Sequence, residues 1–255
     1  MTQNSFTLPR AHAPDLAYDL FLPKPGPFPV ILFCSGYKSD RTGSKATALQ
    51  AWAHENGHNI IRFDYRGSGQ SGGAFLDATV ADWAQDTLDI IDHVCPKDNP
   101  IIVVGSSMGG WMALHAAIMR GKRIAGIVGI AAAPDFTGQI RDHVLTEKQR
   151  LQLKTEGKVV LGSALGPDPY VLTPRMFDDG DKIQILNMVY KDVFIPMHLF
   201  QGELDPSVPI NTPLKIKSAF PNADIHIYMI NDGDHGLSRP QDLNRIYEVL
   251  LKLGI

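Results

Sequence analysis

The sequence predicts an α/β fold built on a mostly parallel sheet with helices on both faces. Three observations carry this reading. Short apolar runs alternate with segments of helix length along the chain. The runs are rich in Val and Ile and are bounded by Pro, Gly, Asn or Asp, as strands buried on both faces are. The chain has 255 residues, 44% of them hydrophobic and 20% charged, enough apolar material for a sizeable core and ordinary for a globular protein.

"LAYDLFL" (16–22) reads as an early edge strand, and "PVILFC" (29–34) as the first buried one. A helix is expected over 45–56, followed by the strand "NIIRFDY" (59–65). The next helix, 79–94, opens on Thr79 with Asp82 three residues on, an N-terminal capping signal. The strand "PIIVVG" (100–105), a helix over 108–120 and the strand "IAGIVGIAA" (124–132) complete the first part. Residues 135–194 break the alternation, with "LTEKQRLQLKTEG", a "GSALGPDPY" loop and "DDGDKIQILNMVY". They read as a cap of short helices without a buried strand, inserted into a core of residues 1–134 and 195–255. The core resumes with the strand "PMHLFQG" (196–202), a helix over 210–219, the strand "ADIHIYMI" (223–230) and a helix over 240–253.

A formal net charge of −3 favours neither nucleic acid nor an anionic membrane as partner. No run approaches the roughly 18 apolar residues of a membrane span. Cys34 and Cys95 cannot build a disulfide framework, and the N-terminal stretch lacks a basic segment followed by an apolar one. A reducing, cytoplasmic location is expected.

The chemistry is written in "VVGSSMGGWM" (103–112). Ser107 has Gly105 and Gly109 at ±2 and fits G-x-S-x-G, whereas Ser106 has Val104 and Met108 there and fits nothing. A nucleophile on a strained strand-to-helix turn needs small neighbours, so Ser107 is the candidate and Ser106 a small packing residue. Acyl transfer also needs a base, an acid that orients it, and donors for the oxyanion. His235, in "NDGDHGL" directly after the run 223–230, is the candidate base. His198 and His226 lie inside expected strands, and His115 lies two helical turns past Ser107. For the acid, Asp205 follows the run 196–202 and Asp135 the run 124–132. Asp205 is preferred because it gives the chain order Ser, Asp, His. The oxyanion donors are expected to be the backbone N–H of Met108 and that of Tyr37, after the tight turn at Gly36.

These segments resemble the α/β-hydrolase superfamily. "FDYRGSGQSGG" is similar to its turn after the fourth strand, "GSSMGG" to its nucleophile elbow, and "GELDPSVP" and "GDHG" to its acid and histidine loops. More narrowly, "GYKSDRTGSKA", "IRFDYRGSGQSGG" and "VGSSMGGWMALHAAI" resemble the mitochondrial acyl-glucuronide esterase and palmitoyl-protein thioesterase family. The resemblance implies an eight-stranded type of sheet, a triad of Ser107, Asp205 and His235, and no cofactor or metal. It also implies an ester or thioester substrate, either a small molecule or an acylated protein. Gln201-Gly202 departs from the "HG" that related chains often carry, at a strand end read as lying outside the triad. An apolar acyl pocket near Tyr37, Met108 and Phe136, with Gly36 at its edge, is the expected binding site. A peptidase or acyltransferase using the same triad, or a binding protein on this scaffold, are the alternatives.

Two motifs point elsewhere at first sight. "GSGQSG" (67–72) matches a dinucleotide fingerprint, but the following helix is expected only near Thr79, too late to face a pyrophosphate. It is expected, with Asp64 and Arg66, to brace the loop beside the site. "HENGH" (54–58) matches a zinc motif, but Gly57 interrupts the helix it requires. Trp111 is expected to pack in the core.

Overall fold

A computed structural model describes residues 5–162 and 169–255, so most of the loop expected at 162–170 lies outside the described residues. The first strands are β1 (Ser5–Leu8), β2 (Leu16–Phe21), β3 (Val30–Cys34), β4 (Asn59–Phe63), β5 (Ile101–Ser106) and β6 (Ile124–Ile130). They are followed by β7 (Val159–Leu161), β8 (Tyr170–Leu172), β9 (Pro196–Gly202) and β10 (Asp224–Ile230). Eight of these form one sheet in the order β1-β2-β4-β3-β5-β6-β9-β10. It is parallel from β4 to β10, with β1 and β2 antiparallel at one end.

The core follows from the two-residue period of a strand. Val30, Leu32, Cys34, Ile101 and Val103 pack on one face, against Trp83 of α2 (Val80–His93) and Trp111 of α3 (Met108–Arg120). Ile31, Phe33, Ile102 and Val104 pack on the other, against Leu49 of α1 (Ser44–Asn56) and Ile246 of α8 (Pro240–Lys252). Both faces are covered, as a parallel sheet requires. Thr79 and Asp82 form the expected capping box at the start of α2.

Two expectations are corrected. The segment 16–22 is not the edge, because β1 pairs outside β2. β1 is four residues long and exposed, so it carries no hydrophobic periodicity to read. Between β6 and β9, the chain forms not only helices but also an antiparallel β7–β8 pair with Val159 and Leu172 buried. Three-residue strands are too short to show an alternation. The helices of this inserted segment are α4 (Phe136–Gln139), running into a π-helical turn (Ile140–Val144), then α5 (Glu147–Glu156) and α6 (Pro174–Lys182). The segment is tied to the core by Thr79 Oγ1 donating to Asp179 at 2.8 Å and by the ion pair of Arg175 with Asp82. The last core helix before β10 is α7 (Thr212–Ala219).

Candidate active site

β5 ends at Ser106, and the chain turns at Ser107 into α3 with φ 54° and ψ −118°. This is strained backbone for a residue with a Cβ. It persists because the turn is held on both sides: Ser107 N donates to Ile130 O at 2.9 Å, and Ser107 O accepts from Gly110 N and Ala133 N. Gly105 and Gly109 are required by crowding. A Cβ at Gly105 would lie 2.2 Å from Gly109 O, and one at Gly109 would lie 2.0 Å from Cys34 O. Ser106 is buried beside this turn.

His235 lies in the loop after β10, and its Nδ1 meets Asp205 Oδ2 at 2.8 Å. The Asp205 side chain is 1% exposed. Its Oδ1 accepts from Ser207 N at 2.8 Å and Val208 N at 3.0 Å, and its Oδ2 also accepts from Gln201 Nε2 at 3.1 Å. Burial pushes this carboxyl up, but the hydrogen bond and charge of His235 and the two backbone donors outweigh it and hold it below its ordinary value. An ionised Asp205 calls for the Nδ1–H tautomer, which leaves Nε2 of His235 free to accept a proton.

The other acids are engaged elsewhere. Asp135 accepts from Ile185 N at 2.9 Å and Leu186 N at 2.8 Å, so it anchors the inserted segment and does not face the imidazole. Asp234 accepts from Leu237 N, and Asp232 pairs with Arg239. His198 meets the Tyr228 hydroxyl at 2.9 Å in the β9–β10 ladder, and His115 is buried in α3.

Ser107 and His235 together border two spaces. One, of about 460 Å³, is largely apolar and is lined by Tyr37, Met108, Phe136, Ile140, Leu161 and Val208, among others. The other, of about 160 Å³, is about evenly polar and apolar, with Ser39, Asp40, Ser44 and Lys45 together with Phe33, Tyr37 and Tyr170 around it and with Gly36 at its wall. The backbone N–H groups of Tyr37 and Met108 find no acceptor among the described residues, and both residues border the apolar space next to Ser107. Trp111 is buried, donates Nε1–H to Ile183 O at 3.0 Å, and supports Phe136 edge-on at 5.8 Å.

The loop that carries Gly36 and Tyr37 is braced from below. Asp64 accepts from Arg41 N and Gln70 N and pairs with the Arg41 guanidinium. Arg66 pairs with Asp82 and Asp86. The glycines 67–72 close a loop, Gly67 N to Gly72 O at 2.8 Å, and no helix opens on them. In "HENGH", Gly57 ends α1 in the left-handed conformation. His54 then packs tilted against Phe21 and His58 stacks on Trp52, so the two histidines do not share a helix face.

Sequence reading missed four residues of this site. Lys45 reaches from α1 to Gly236 O at 2.6 Å, beside His235. Its α1 position carries no motif that distinguishes it from a solvated lysine. His143, in the π-helical turn, borders the apolar space, and Tyr170 borders both spaces. Neither could be placed without the fold of the inserted segment. Gln201, read as outside the site, touches the carboxylate that holds His235.

Residues 26–187 match the family model described as serine aminopeptidase, S33. The chain is 33% identical over 238 residues to the mitochondrial palmitoyl-protein thioesterase ABHD10 of Mus musculus, covering 93% of this chain and 78% of that one. For the Homo sapiens protein of the same name the identity is 31% over 236 residues, covering 92% and 75%. Among solved structures, one from Agrobacterium vitis S4, described as a hydrolase, superposes with a TM-score of 0.91 at 34% identity, covering 100% of this chain and 99% of that one. Mouse ABHD10 superposes with a TM-score of 0.87 at 30% identity, covering 98% of each chain. With the eight-stranded sheet and the elbow at Ser107, these similarities make the chain a member of the α/β-hydrolase family, related to the palmitoyl-protein thioesterases.

Proposed function

We propose that the protein is a serine hydrolase that cleaves carboxylic esters or thioesters through Ser107, His235 and Asp205. The observation that carries this reading is the 2.8 Å contact of His235 Nδ1 with Asp205 Oδ2, made at a cavity that the strained Ser107 also borders. His235 Nε2 takes the proton of Ser107 Oγ as that oxygen attacks the acyl carbon. The carbonyl oxygen becomes an oxyanion held by the N–H groups of Tyr37 and Met108, each donor worth roughly 2.7–4 kcal/mol in the transition state. His235 returns the proton to the leaving alcohol or thiol as its bond to the acyl carbon breaks. Water then repeats the sequence on the acyl-enzyme, its proton passing through His235 to Ser107 Oγ. No cofactor enters these steps.

The inserted segment is read as a cap, residues 135–194, because its residues close the apolar space over Ser107. An acyl chain fits that space against Phe136, and a polar leaving group fits the smaller one beside Gly36. Both small-molecule esters and acylated proteins have the required bond. The kinship with palmitoyl-protein thioesterases favours an acyl chain as the apolar part.

A fluorophosphonate probe, with peptide mapping, tests the mechanism on the parent and on Ser107→Ala. Labelling at Ser107 that vanishes in the variant, with loss of p-nitrophenyl ester and acyl-thioester turnover, is expected. Ester turnover by Ser107→Ala within about tenfold of the parent overturns the mechanism, since removal of a triad member costs about 10⁴ or more. The family model's own description favours a second reading, an aminopeptidase. Aminoacyl-naphthylamide substrates beside the esters separate the two.

A further inference from the structure

Gln201, near the end of β9, is fully buried, yet half of its amide is unsatisfied. Oε1 meets no partner among the described residues, while Nε2 donates to Gly202 O at 3.3 Å and to Asp205 Oδ2 at 3.1 Å. A residue kept for packing alone would be apolar here, because Leu or Met fills a similar volume without stranding a carbonyl. The amide instead supplies a second donor to the same carboxylate oxygen that His235 Nδ1 meets. Its orientation is set by that contact, since the opposite rotamer would aim Oε1 at the carboxylate.

We propose that Gln201 is a positioning residue for the Asp205–His235 pair, fixing the plane of the Asp205 carboxylate so that Oδ2 is presented to the imidazole. Ser207 N and Val208 N hold Oδ1, which alone leaves the carboxylate free to rock about that end. The amide closes the other end. Three fixed donors then leave one direction open on Oδ2, and His235 fills it. In the histidine loop around the pair, Lys45 of α1 donates to Gly236 O and Asp234 accepts from Leu237 N; Arg239 is neutralised by Asp232 and Asp242 further along. The role rests on the acyl-transfer reading of the site.

Gln201→Met and Gln201→Glu test it, with three readouts: the unfolding midpoint, kcat and KM on an ester, and the carbon-13 NMR titration of the Asp205 carboxyl. The Met variant is expected to lower kcat about tenfold with little change in KM, the lower end of what loss of a supporting hydrogen bond costs behind metal ligands. Its Asp205 carboxyl should titrate at higher pH than the parent's, because the ionised form has lost a donor. The carboxyl introduced by Gln201→Glu donates only while protonated, so the activity of that variant relative to the parent should fall further as pH rises. A purely structural role predicts that this fall follows the loss of folded protein seen in the unfolding midpoint, whereas a positioning role lowers kcat of the protein that stays folded. The Glu variant keeps the side-chain length and, while protonated, a donor, so it decides the matter even where the Met variant does not fold. A Met variant with the parent's carboxyl titration and kcat within twofold, or a flat activity ratio for the Glu variant, overturns the proposal. The titration needs no turnover: failure of Ser107 labelling with a shifted carboxyl sinks the hydrolase reading alone, and the reverse sinks the Gln201 role alone.

Discussion

Tyr37 and Tyr170 stack with ring centroids 4.9 Å apart and planes 11° apart, so the loop after β3 is in direct contact with β8 of the inserted segment. The Tyr37 hydroxyl also donates to Val171 O at 3.0 Å, and Lys38 Nζ to Pro169 O at 2.8 Å. The backbone N–H proposed for the oxyanion therefore belongs to a residue whose side chain grips the proposed cap. The proposed cap and the proposed oxyanion donor thus meet at one residue.

Tyr37→Phe keeps the stack and deletes the hydroxyl. The expected cost is one hydrogen bond, about 1 kcal/mol in urea unfolding. The backbone N–H is unchanged, so kcat should stay within about threefold while KM for a long-chain ester rises, because the lost contact holds the wall of the acyl space. A fall in kcat with constant KM would mean instead that the hydroxyl fixes the oxyanion loop itself.

Asp205→Asn tests the orienting acid. Asn can offer an N–H to Nδ1 and so favours the wrong tautomer, and kcat should drop by about 10⁴ with the fold intact. The same residue makes a pH prediction. Its native carboxyl titrates below the ordinary value, so it contributes stability that is fully present above the unfolded-state value and is lost as pH falls through the native one. Unfolding of the parent and of the variant should thus differ most near neutral pH and converge in acid. A difference that grows in acid would contradict the direction of that shift.

Much of this was legible in the residues. The buried strands β3, β5 and β6 announce themselves as near-continuous apolar runs rich in Val and Ile because both of their faces are covered. The elbow is legible because steric crowding leaves Gly as the residue at 105 and 109. β1 was invisible since only Leu8 of its four residues is partly buried, and β7 and β8 since three residues cannot show a period. Lys45 and Gln201 were invisible for a different reason. Lys45 meets Gly236 O far along the chain and Gln201 meets Asp205 four residues on across a turn, and neither residue type signals such a partner.

Asp135 sits where a rival acid was conceivable, and its carboxylate instead receives two backbone donors some fifty residues on, at Ile185 and Leu186. Burial raises this carboxyl, and the two N–H groups offset part of that. Asp135→Ala strands the buried N–H of Ile185 and frees that of Leu186. A loss of about 1–3 kcal/mol is expected, with earlier proteolytic cleavage between β6 and β9. Kinetics on short esters should change far less than for Asp205→Asn. Equal losses from the two variants would bring Asp135 back as the orienting acid.

Phe136 offers the most direct reading of substrate. Its ring meets Tyr37 at 6.0 Å and Trp111 at 5.8 Å, and it borders the apolar space next to Ser107. Phe136→Ala removes a wall that an acyl chain would touch close to the scissile bond. Loss of that contact should cost roughly 1–3 kcal/mol of transition-state binding for short acyl chains, about 10–200-fold in kcat/KM. Longer or branched chains can fill the space that opens, so their loss should be smaller and the chain-length optimum should move upward. The ring is only half-buried, so the stability cost should fall below the roughly 3–5 kcal/mol of a fully buried Phe→Ala. A p-nitrophenyl ester series from acetate to palmitate, run on both proteins, reads this out. A uniform drop at every chain length would place the acyl group elsewhere, and the smaller space beside Lys45 and Ser39 would then have to be tested as its seat.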